Sequence, residues 1–172
     1  ADVAQRVVDL VPAHLQPRRI LDVGCGTGRL LRLAHMRWPQ AGLVGLDLAE
    51  GMVGQARRQL ANIAPLRLEV GDAATYEDQP FDLVLSSSSL HWLRPLEHGL
   101  AHVLNLVAPG GHLAAGLMTQ ATLRELRALN EITAAINSTV SLHQLLETAS
   151  EKIVTLIEPV THCGIGLFSD DW

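Results

Sequence analysis

The sequence predicts an α/β fold, in which a doubly wound, mostly parallel sheet carries helices on both faces and a helical extension follows. Short apolar segments that resemble buried strands alternate with amphipathic segments of helical period, and the first three strands end at glycine or aspartate. Of the 172 residues, 48% are hydrophobic, which is enough for a sizeable core. Strands that alternate with helices favour a parallel sheet, and such sheets bind ligands beyond the carboxyl ends of their strands.

The predicted elements follow one another as strand and helix along the first two thirds of the chain. Strands are predicted over 18–24, 42–48, 66–70, 81–85 and 111–118, and helices over 29–38, 51–62 and 95–107. Pro39 and Pro65 interrupt the helical pattern, and Pro109-Gly110-Gly111 forms a turn before the fifth strand. We therefore expect residues 1–120 to form one α/β domain.

Composition and charge exclude several classes of function. The net charge of −5 argues against a nucleic-acid partner, because phosphate binding requires clustered Lys and Arg. The sequence contains neither the long apolar run of a membrane-spanning helix nor the pattern of a signal peptide, so we expect no membrane partner and a cytoplasmic location. Cys25 and Cys163 are the two cysteines, and both are expected to be free thiols.

A glycine loop, Asp22-Val-Gly24-Cys-Gly26-Thr-Gly28, directly follows the first predicted strand and opens the first predicted helix. The dinucleotide fingerprint is G-x-G-x-x-G and places a pyrophosphate at the helix N-terminus. Here the spacing is G-x-G-x-G and a carboxylate precedes it. An anion at the loop entrance would repel a pyrophosphate but suits an ammonium and a sulfonium, so the loop favours S-adenosylmethionine over NAD.

Two further aspartates follow the next two predicted strands. Asp47 ends the second strand, where a carboxylate can accept hydrogen bonds from both hydroxyls of a ribose. Asp72 lies in Gly71-Asp72-Ala73 after the third strand, where it could accept from an adenine amino group while Ala73 leaves room for the ring. Each aspartate alone also fits a helix cap or loop, but the three motifs in order form a joint signal.

The segments 20–28, 44–52, 68–73, 81–93 and 106–113 resemble, in order, the successive motifs of class I S-adenosylmethionine-dependent methyltransferases, which have a Rossmann-like fold. The segment Phe81-Asp-Leu-Val-Leu-Ser-Ser-Ser-Ser-Leu-His-Trp-Leu93, with Ala108-Pro-Gly-Gly111 and Thr122-Leu-Arg-Glu-Leu126, is similar to the biotin-pathway malonyl-acyl-carrier-protein O-methyltransferases and the trans-aconitate methyltransferases. The resemblance implies a small or carrier-linked carboxylate as substrate.

The resemblance also implies which residues form the site. The loop after the fourth strand would face the methyl group and the acceptor, with Leu90 nearby and with His91 and Trp92 as catalytic, substrate-positioning residues. The family usually has Gln where His91 stands; a histidine here could act as a general base or could pack beside Trp92. The implied cofactor contacts are Asp22, Gly24, Cys25, Gly26, Gly28, Asp47, Leu48, Met52, Gly71, Asp72, Ala73, Ser87 and Ser88.

No metal site is expected. His98 and His102 are four residues apart on a predicted helix, but no third ligand accompanies them. Cys25 lies among glycines rather than beside a histidine, which argues against a nucleophilic role.

Residues 121–172 depart from the α/β alternation. Helices are predicted over 121–137 and 142–157, followed by one strand over 163–168, and together they resemble the opening of a GAF domain, a fold that senses small ligands. The alternative is that the first helix and the strand complete the methyltransferase sheet, the strand as half of an antiparallel hairpin. The chain is expected to be a fragment, with short or missing N-terminal helices. The rival functions are a GAF-containing sensor with little turnover and, less favoured, an NAD-dependent oxidoreductase.

Overall fold

A computed structural model describes residues 3–118 and 162–168. In these ranges the helices are α1 Val3–Leu10, α2 Arg29–Arg37, α3 Glu50–Gln59 and α4 Leu96–Asn105, and a 3-10 helix spans Leu90–Trp92. The strands of the described residues are β1 Arg19–Val23, β2 Gly42–Asp47, β3 Leu66–Val70, β4 Phe81–Ser87, β5 Val107–Met118 and β6 His162–Phe168.

The predicted fold class is confirmed. Within the described ranges, the strands form one parallel sheet in the order β3-β2-β1-β4-β5-β6. The chain first builds outward from β1 to β3 and then returns to the other side of β1 to begin β4. The carboxyl ends of β1 and β4 therefore lie side by side at the point where the strand order reverses, which is where sheets of this kind bind their ligands.

Helices cover both faces of the sheet, because successive side chains of a strand point to opposite faces. One core cluster joins the sheet to α1 and α2 and contains Val7, Val8, Ile20, Leu30, Leu31, Ala34, Leu43, Leu83 and Leu85. The other joins the sheet to α4 and the 3-10 helix and contains Leu21, Val23, Val44, Leu46, Phe81, Val84, Leu90 and Val103. The neighbouring residues Ile20 and Leu21 thus anchor β1 in both layers.

The Asp82 side chain links β1 to β4 by two hydrogen bonds at the amino end of the sheet. One carboxylate oxygen of Asp82, the second residue of β4, accepts from the backbone N–H groups of Arg18 at 2.7 Å and Arg19 at 2.9 Å. The two strands are then in register from Ile20 opposite Leu83 to Asp22 opposite Leu85. Asp82 thus helps to align the two strands whose far ends carry the glycine loop and the serine-rich loop.

Three details differ from the sequence prediction. Helix α1 was not predicted; its apolar residues pack against the core shared with α2. Strand β5 begins at Val107, four residues early, because the Pro109-Gly110-Gly111 turn is absorbed into the strand as a register shift opposite Phe81 and Leu83. The 3-10 helix Leu90–Trp92 was also not predicted, since three residues are too few to show a period.

Strand β6 confirms that residues 163–168 are extended, but its placement differs from both predicted alternatives. It pairs with β5 in parallel, from His112 opposite His162 to Met118 opposite Phe168. It therefore joins the same sheet, neither as an antiparallel hairpin strand nor as the first strand of a separate GAF-like sheet. A parallel neighbour requires a long connection, and residues 119–161 are long enough to supply one. The predicted helices over 121–137 and 142–157 lie outside the described residues.

A substitution at Gly28 tests whether the junction between the glycine loop and α2 requires a glycine. Gly28 caps the helix with a φ of 86°, and a Cβ there would lie 2.4 Å from Cδ1 of Leu60. Gly28→Ala should lower the free energy of unfolding by about 2–5 kcal/mol, because a left-handed backbone and overpacking both disfavour a side chain. Urea denaturation measures the loss.

Gly26→Ala is the matched control. Gly26 also has a positive φ, of 52°, but a Cβ there would meet no atom within 4 Å. Only the cost of the left-handed backbone should apply here, so the free energy of unfolding should fall by about 1–2 kcal/mol. Equal losses for the two variants would show that Leu60 does not restrict Gly28.

Candidate functional site

The predicted site residues lie at the carboxyl ends of β1, β2, β3 and β4, and backbone hydrogen bonds tie these ends together. The N–H groups of Gly24 and Cys25 donate to the carbonyl oxygen of Leu46 in β2, at 2.8 and 3.0 Å. The N–H of Gly71 donates to the carbonyl of Asp47 at 3.0 Å. The loops that follow β1, β2 and β3 are therefore fixed relative to one another by the sheet itself.

The three glycines of the loop have different roles in the structure. A Cβ at Gly24 would lie 2.2 Å from Cβ of Ser89, so that space is filled by the loop after β4. The corresponding space at Gly28 is filled by Leu60. Gly26 alone faces open space. We expected the glycines to let a ligand approach the backbone; only at Gly26 does the surrounding structure leave room for one.

The sequence predicts Asp22 at the entrance of the glycine loop. In the structure Asp22 instead lies beneath the loop. Its side chain is 1% exposed, and neither carboxylate oxygen has a hydrogen-bond partner among the described residues. Burial, and then the nearby charge of Asp47, raise the pKa of Asp22 from an ordinary 3.8 to about 8. In this state Asp22 holds a proton at neutral pH, and a nearby positive charge would favour its ionised form.

Asp47 closes the other side of the loop. One carboxylate oxygen accepts from the N–H of Gly26 at 2.8 Å, and the other accepts from the N–H of Ala49 at 2.9 Å. An ionised carboxylate can accept about four hydrogen bonds, so both oxygens retain capacity for a further donor. Asp47 is half-buried and adjoins the open space beside Gly26. It can therefore accept hydrogen bonds from two hydroxyls at once.

Asp72 and Ala73 occupy the corresponding place after β3. Asp72 is exposed, and one of its oxygens accepts from the N–H of Ala74 at 2.8 Å, which shapes the turn. Ala73 is buried in the core beneath it. The second carboxylate oxygen of Asp72 remains available to a donor from solvent or ligand.

Large apolar side chains are exposed around these aspartates. Leu48 is 73% exposed, Met52 46%, Val70 47% and Trp92 69%, and all four lie at or just beyond strand ends. Leu48 and Met52 were predicted as cofactor contacts from the resemblance, and Val70 was not predicted. The sequence feature that could have indicated Val70 is its position as an apolar residue immediately before Gly71-Asp72. Exposed apolar groups beside hydrogen-bonding carboxylates suit a planar, partly apolar ring such as adenine.

Cys25 faces the core and not the open surface. Its side chain is 5% exposed, and its Sγ would lie 3.1 Å from a Cβ placed at Gly45. Burial, followed by the charges of Asp22 and Asp47, raises the pKa of the Cys25 thiol well above its usual range. Such a thiol is a poor nucleophile, in agreement with the sequence analysis. Any cofactor contact by Cys25 would involve its backbone.

The loop after β4 brings serine side chains next to the glycine loop and leads on to His91. Ser88 adopts a left-handed conformation with a φ of 60°, and its N–H donates to the carbonyl of Gly116 in β5 at 2.7 Å. The chain then enters the 3-10 helix, where His91 is 9% exposed and its ring lies 4.9 Å from that of Trp92. Burial favours the packing alternative for His91, and Trp92 is the exposed member of the pair.

The two helical histidines have separate surroundings. Nε2 of His102 lies 2.6 Å from the carbonyl oxygen of Tyr76, while His98 is exposed. Across residues 3–118 and 162–168, no group of three His, Cys, Asp or Glu side chains is placed to hold a metal ion. In the same ranges, no helix has both the length and the apolar character needed to cross a membrane.

These residues fit the parts of S-adenosylmethionine. Asp47 offers two acceptors for ribose hydroxyls, and the exposed apolar side chains with Asp72 suit an adenine ring. The buried Asp22 has no internal partner within the described ranges, and a cationic ligand bound over the glycine loop would compensate its charge.

Comparison with known proteins agrees with this fit. The sequence model of the methyltransferase domain family matches residues 21–113. The chain belongs to this family.

Curated relatives of this methyltransferase domain include enzymes named for two different acceptors. The malonyl-[acyl-carrier protein] O-methyltransferase of Geobacter sulfurreducens is 41% identical over 130 residues, which cover 73% of this chain and 48% of the relative. The trans-aconitate 2-methyltransferase of an Acidovorax species is 35% identical over 102 residues, covering 59% of this chain and 39% of the relative. The chain thus spans about half or less of the length of these relatives.

A solved structure supports the same fold. The S-adenosylmethionine-bound amino pentose methyltransferase CalS10 of Micromonospora echinaspora is 34% identical, with a TM-score of 0.54 over 66% of this chain and 47% of that one. NodS, an N-methyltransferase of Bradyrhizobium japonicum in complex with S-adenosyl-L-homocysteine, shares the fold at 18% identity and a TM-score of 0.59, covering 65% of this chain and 58% of that one.

The raised pKa of Asp22 makes stability depend on pH. In the unfolded chain Asp22 titrates near its ordinary value, whereas in the fold it holds its proton up to about pH 8. Between these values the folded state binds more protons, so the free energy of unfolding should fall as pH rises, by up to roughly 1.4 kcal/mol per pH unit. Urea denaturation at pH 6, 7 and 8 measures this slope.

Asp22→Asn removes the titrating group and should flatten the slope over this interval. Asp72→Asn is the matched control: that aspartate is exposed, so the wild-type slope should persist. A slope in Asp22→Asn equal to that of the wild type would show that another group is responsible.

Proposed function

We propose that this chain is the cofactor-binding part of an S-adenosylmethionine-dependent methyltransferase whose acceptor is a small or carrier-linked carboxylic acid. The observation that carries the proposal is the position of Asp47. It ends β2, contacts the glycine loop through Gly26 and keeps two acceptor oxygens beside the open space at that glycine. The names of the curated relatives support the carboxylic acid.

The proposed cofactor contacts follow from the geometry of the loops. Asp47 accepts from the ribose hydroxyls, and the backbone at Gly26 gives the ligand close access. Leu48, Met52 and Val70 contact the adenine, with Asp72 as an acceptor at its edge. Asp22 lies under the loop with its oxygens shielded from solvent, and it becomes a negative charge when a cationic ligand binds over it. A pyrophosphate would bring no such compensation and would add negative charge beside Asp47.

The proposed reaction requires little acid–base help from the protein. When bound, the cofactor supplies a methyl group on a positively charged sulfur. That methyl group would pass to a carboxylate oxygen of the acceptor, and the electron pair of the carbon–sulfur bond would stay with sulfur. Because the attacking oxygen is already anionic, the loop after β4 has only to align it and exclude water. Trp92, exposed at that loop, is the side chain best placed to contact the acceptor.

Cofactor binding is tested by calorimetry with S-adenosylhomocysteine. Asp47→Ala should weaken binding by roughly 10- to 100-fold, the effect of losing hydrogen bonds to a charged acceptor. Asp9→Ala is the matched control, because Asp9 is an exposed aspartate on α1 that accepts a hydrogen bond from Gln5 of the same helix. No binding to the wild type, or equal losses in both variants, would contradict the proposed cofactor site.

The acceptor is tested by methyl transfer from labelled S-adenosylmethionine. Malonyl-acyl carrier protein and trans-aconitate should yield base-labile methyl esters, whereas an amine-bearing sugar should not react. S-adenosylhomocysteine binding without any methyl ester would favour the rival function, a cofactor-binding module with little turnover.

A further inference from the structure

The hydroxyl groups of Ser86 and Ser89 meet at the end of β1. Both Oγ atoms lie within hydrogen-bond distance of the carbonyl oxygen of Val23, at 3.0 Å for Ser86 and 2.5 Å for Ser89, and they are 2.6 Å from each other. Three oxygen atoms thus form a small cluster that contains only two hydroxyl protons. Ser89 takes part in the two shortest contacts.

Ser89 also begins the segment that carries His91 and Trp92. Its carbonyl oxygen accepts from the N–H of Trp92 at 2.9 Å and so closes the 3-10 helix. One residue therefore has its side chain bonded to the end of β1 and its backbone bonded to the segment proposed to face the acceptor.

Packing at Gly24 reinforces this contact. A Cβ at Gly24 would lie 2.2 Å from Cβ and 2.4 Å from Oγ of Ser89. Ser89 therefore occupies the space that any side chain at the first loop glycine would need. The two loops are therefore in direct contact, through the Ser89 side chain and the backbone of Gly24.

We propose that Ser89 is a positioning residue, which holds the His91–Trp92 segment at a fixed distance from the glycine loop through the Val23 carbonyl and the surface of Gly24. The proposal rests on the proposed function for its consequence, because a fixed distance between the two loops sets the distance between the cofactor's methyl group and the acceptor. Methyl transfer requires that alignment, and a small displacement of either partner slows it. Cofactor affinity requires only the glycine loop and the aspartates.

Ser89→Ala separates the two requirements. The Val23 carbonyl keeps the Ser86 hydroxyl, so the fold should be retained. The dissociation constant of S-adenosylhomocysteine, measured by calorimetry, should stay within about threefold of wild type. The indole N–H resonance of Trp92, assigned by Trp92→Phe, should shift or broaden in the free protein and in the complex. With the acceptor that wild type methylates, kcat should fall at least about tenfold.

Two further variants keep the outcome interpretable. Cysteine is similar in size to serine but is a weaker donor. In Ser89→Cys, the chemical shift of the Trp92 indole N–H and the value of kcat should therefore lie between those of Ser89→Ala and wild type. Thr75→Ala removes a different surface hydroxyl, which contacts the carbonyl of Asp72 at 3.4 Å, and should leave the Trp92 resonance as in wild type.

An unchanged Trp92 resonance in Ser89→Ala would overturn the proposal, as would a parallel loss of S-adenosylhomocysteine affinity. Absence of binding to the wild type would instead count against the proposed function, and the Trp92 resonance of the free protein would still decide the role of Ser89.

Discussion

The reversal of strand order between β1 and β4 is the constraint on which the candidate site depends. It places the ends of two adjacent parallel strands side by side, one leading into the glycine loop and the other into the serine-rich loop. The Val23 carbonyl receives both serine hydroxyls because these ends are neighbours. A strand order without that reversal would separate a cofactor loop from an acceptor loop, and neither could position the other.

The electrostatics of the site follow from burial at the same place. Ending β1 in an aspartate puts a carboxyl group under the loop, where water cannot solvate it and where Asp47 opposes its ionisation. A buried charge without a partner is costly, so the free protein keeps Asp22 neutral. A bound cation would stabilise the ionised form of Asp22. The site would thus gain a negative charge when its ligand arrives, and a neutral or anionic ligand would not produce the same change.

The fold was largely predictable from sequence, because the signals for strands and turns are local. The apolar run at Ile20 to Val23 and the prolines after each helix set the element order, and that order predicts a parallel sheet. Local patterns could not show the direction of β6, which depends on residues 119–161 and on pairing with β5. Nor could they reveal α1 as a core helix, since eight residues hold only two turns.

The sequence predicted which residues gather at the strand ends, but not their detailed geometry. Residue type and order indicated Asp22, Asp47 and Asp72 as a group. The depth of Asp22 depends on how the loop covers it, and the role of Gly24 depends on Ser89, which is distant in sequence. Ser89 gave no separate signal within a run of four serines. Such contacts between strand ends arise only when the sheet is assembled.

If a cationic cofactor binds over a buried, protonated Asp22, binding should release the proton of that carboxyl group. Calorimetric titration of S-adenosylmethionine at pH 7, in buffers of different ionisation enthalpy, counts the protons. Wild type should release a substantial fraction of one proton, and Asp22→Asn should release markedly less, since the variant lacks the buried carboxyl group that ionises. Proton uptake by the wild type, or equal release from both proteins, would contradict this expectation.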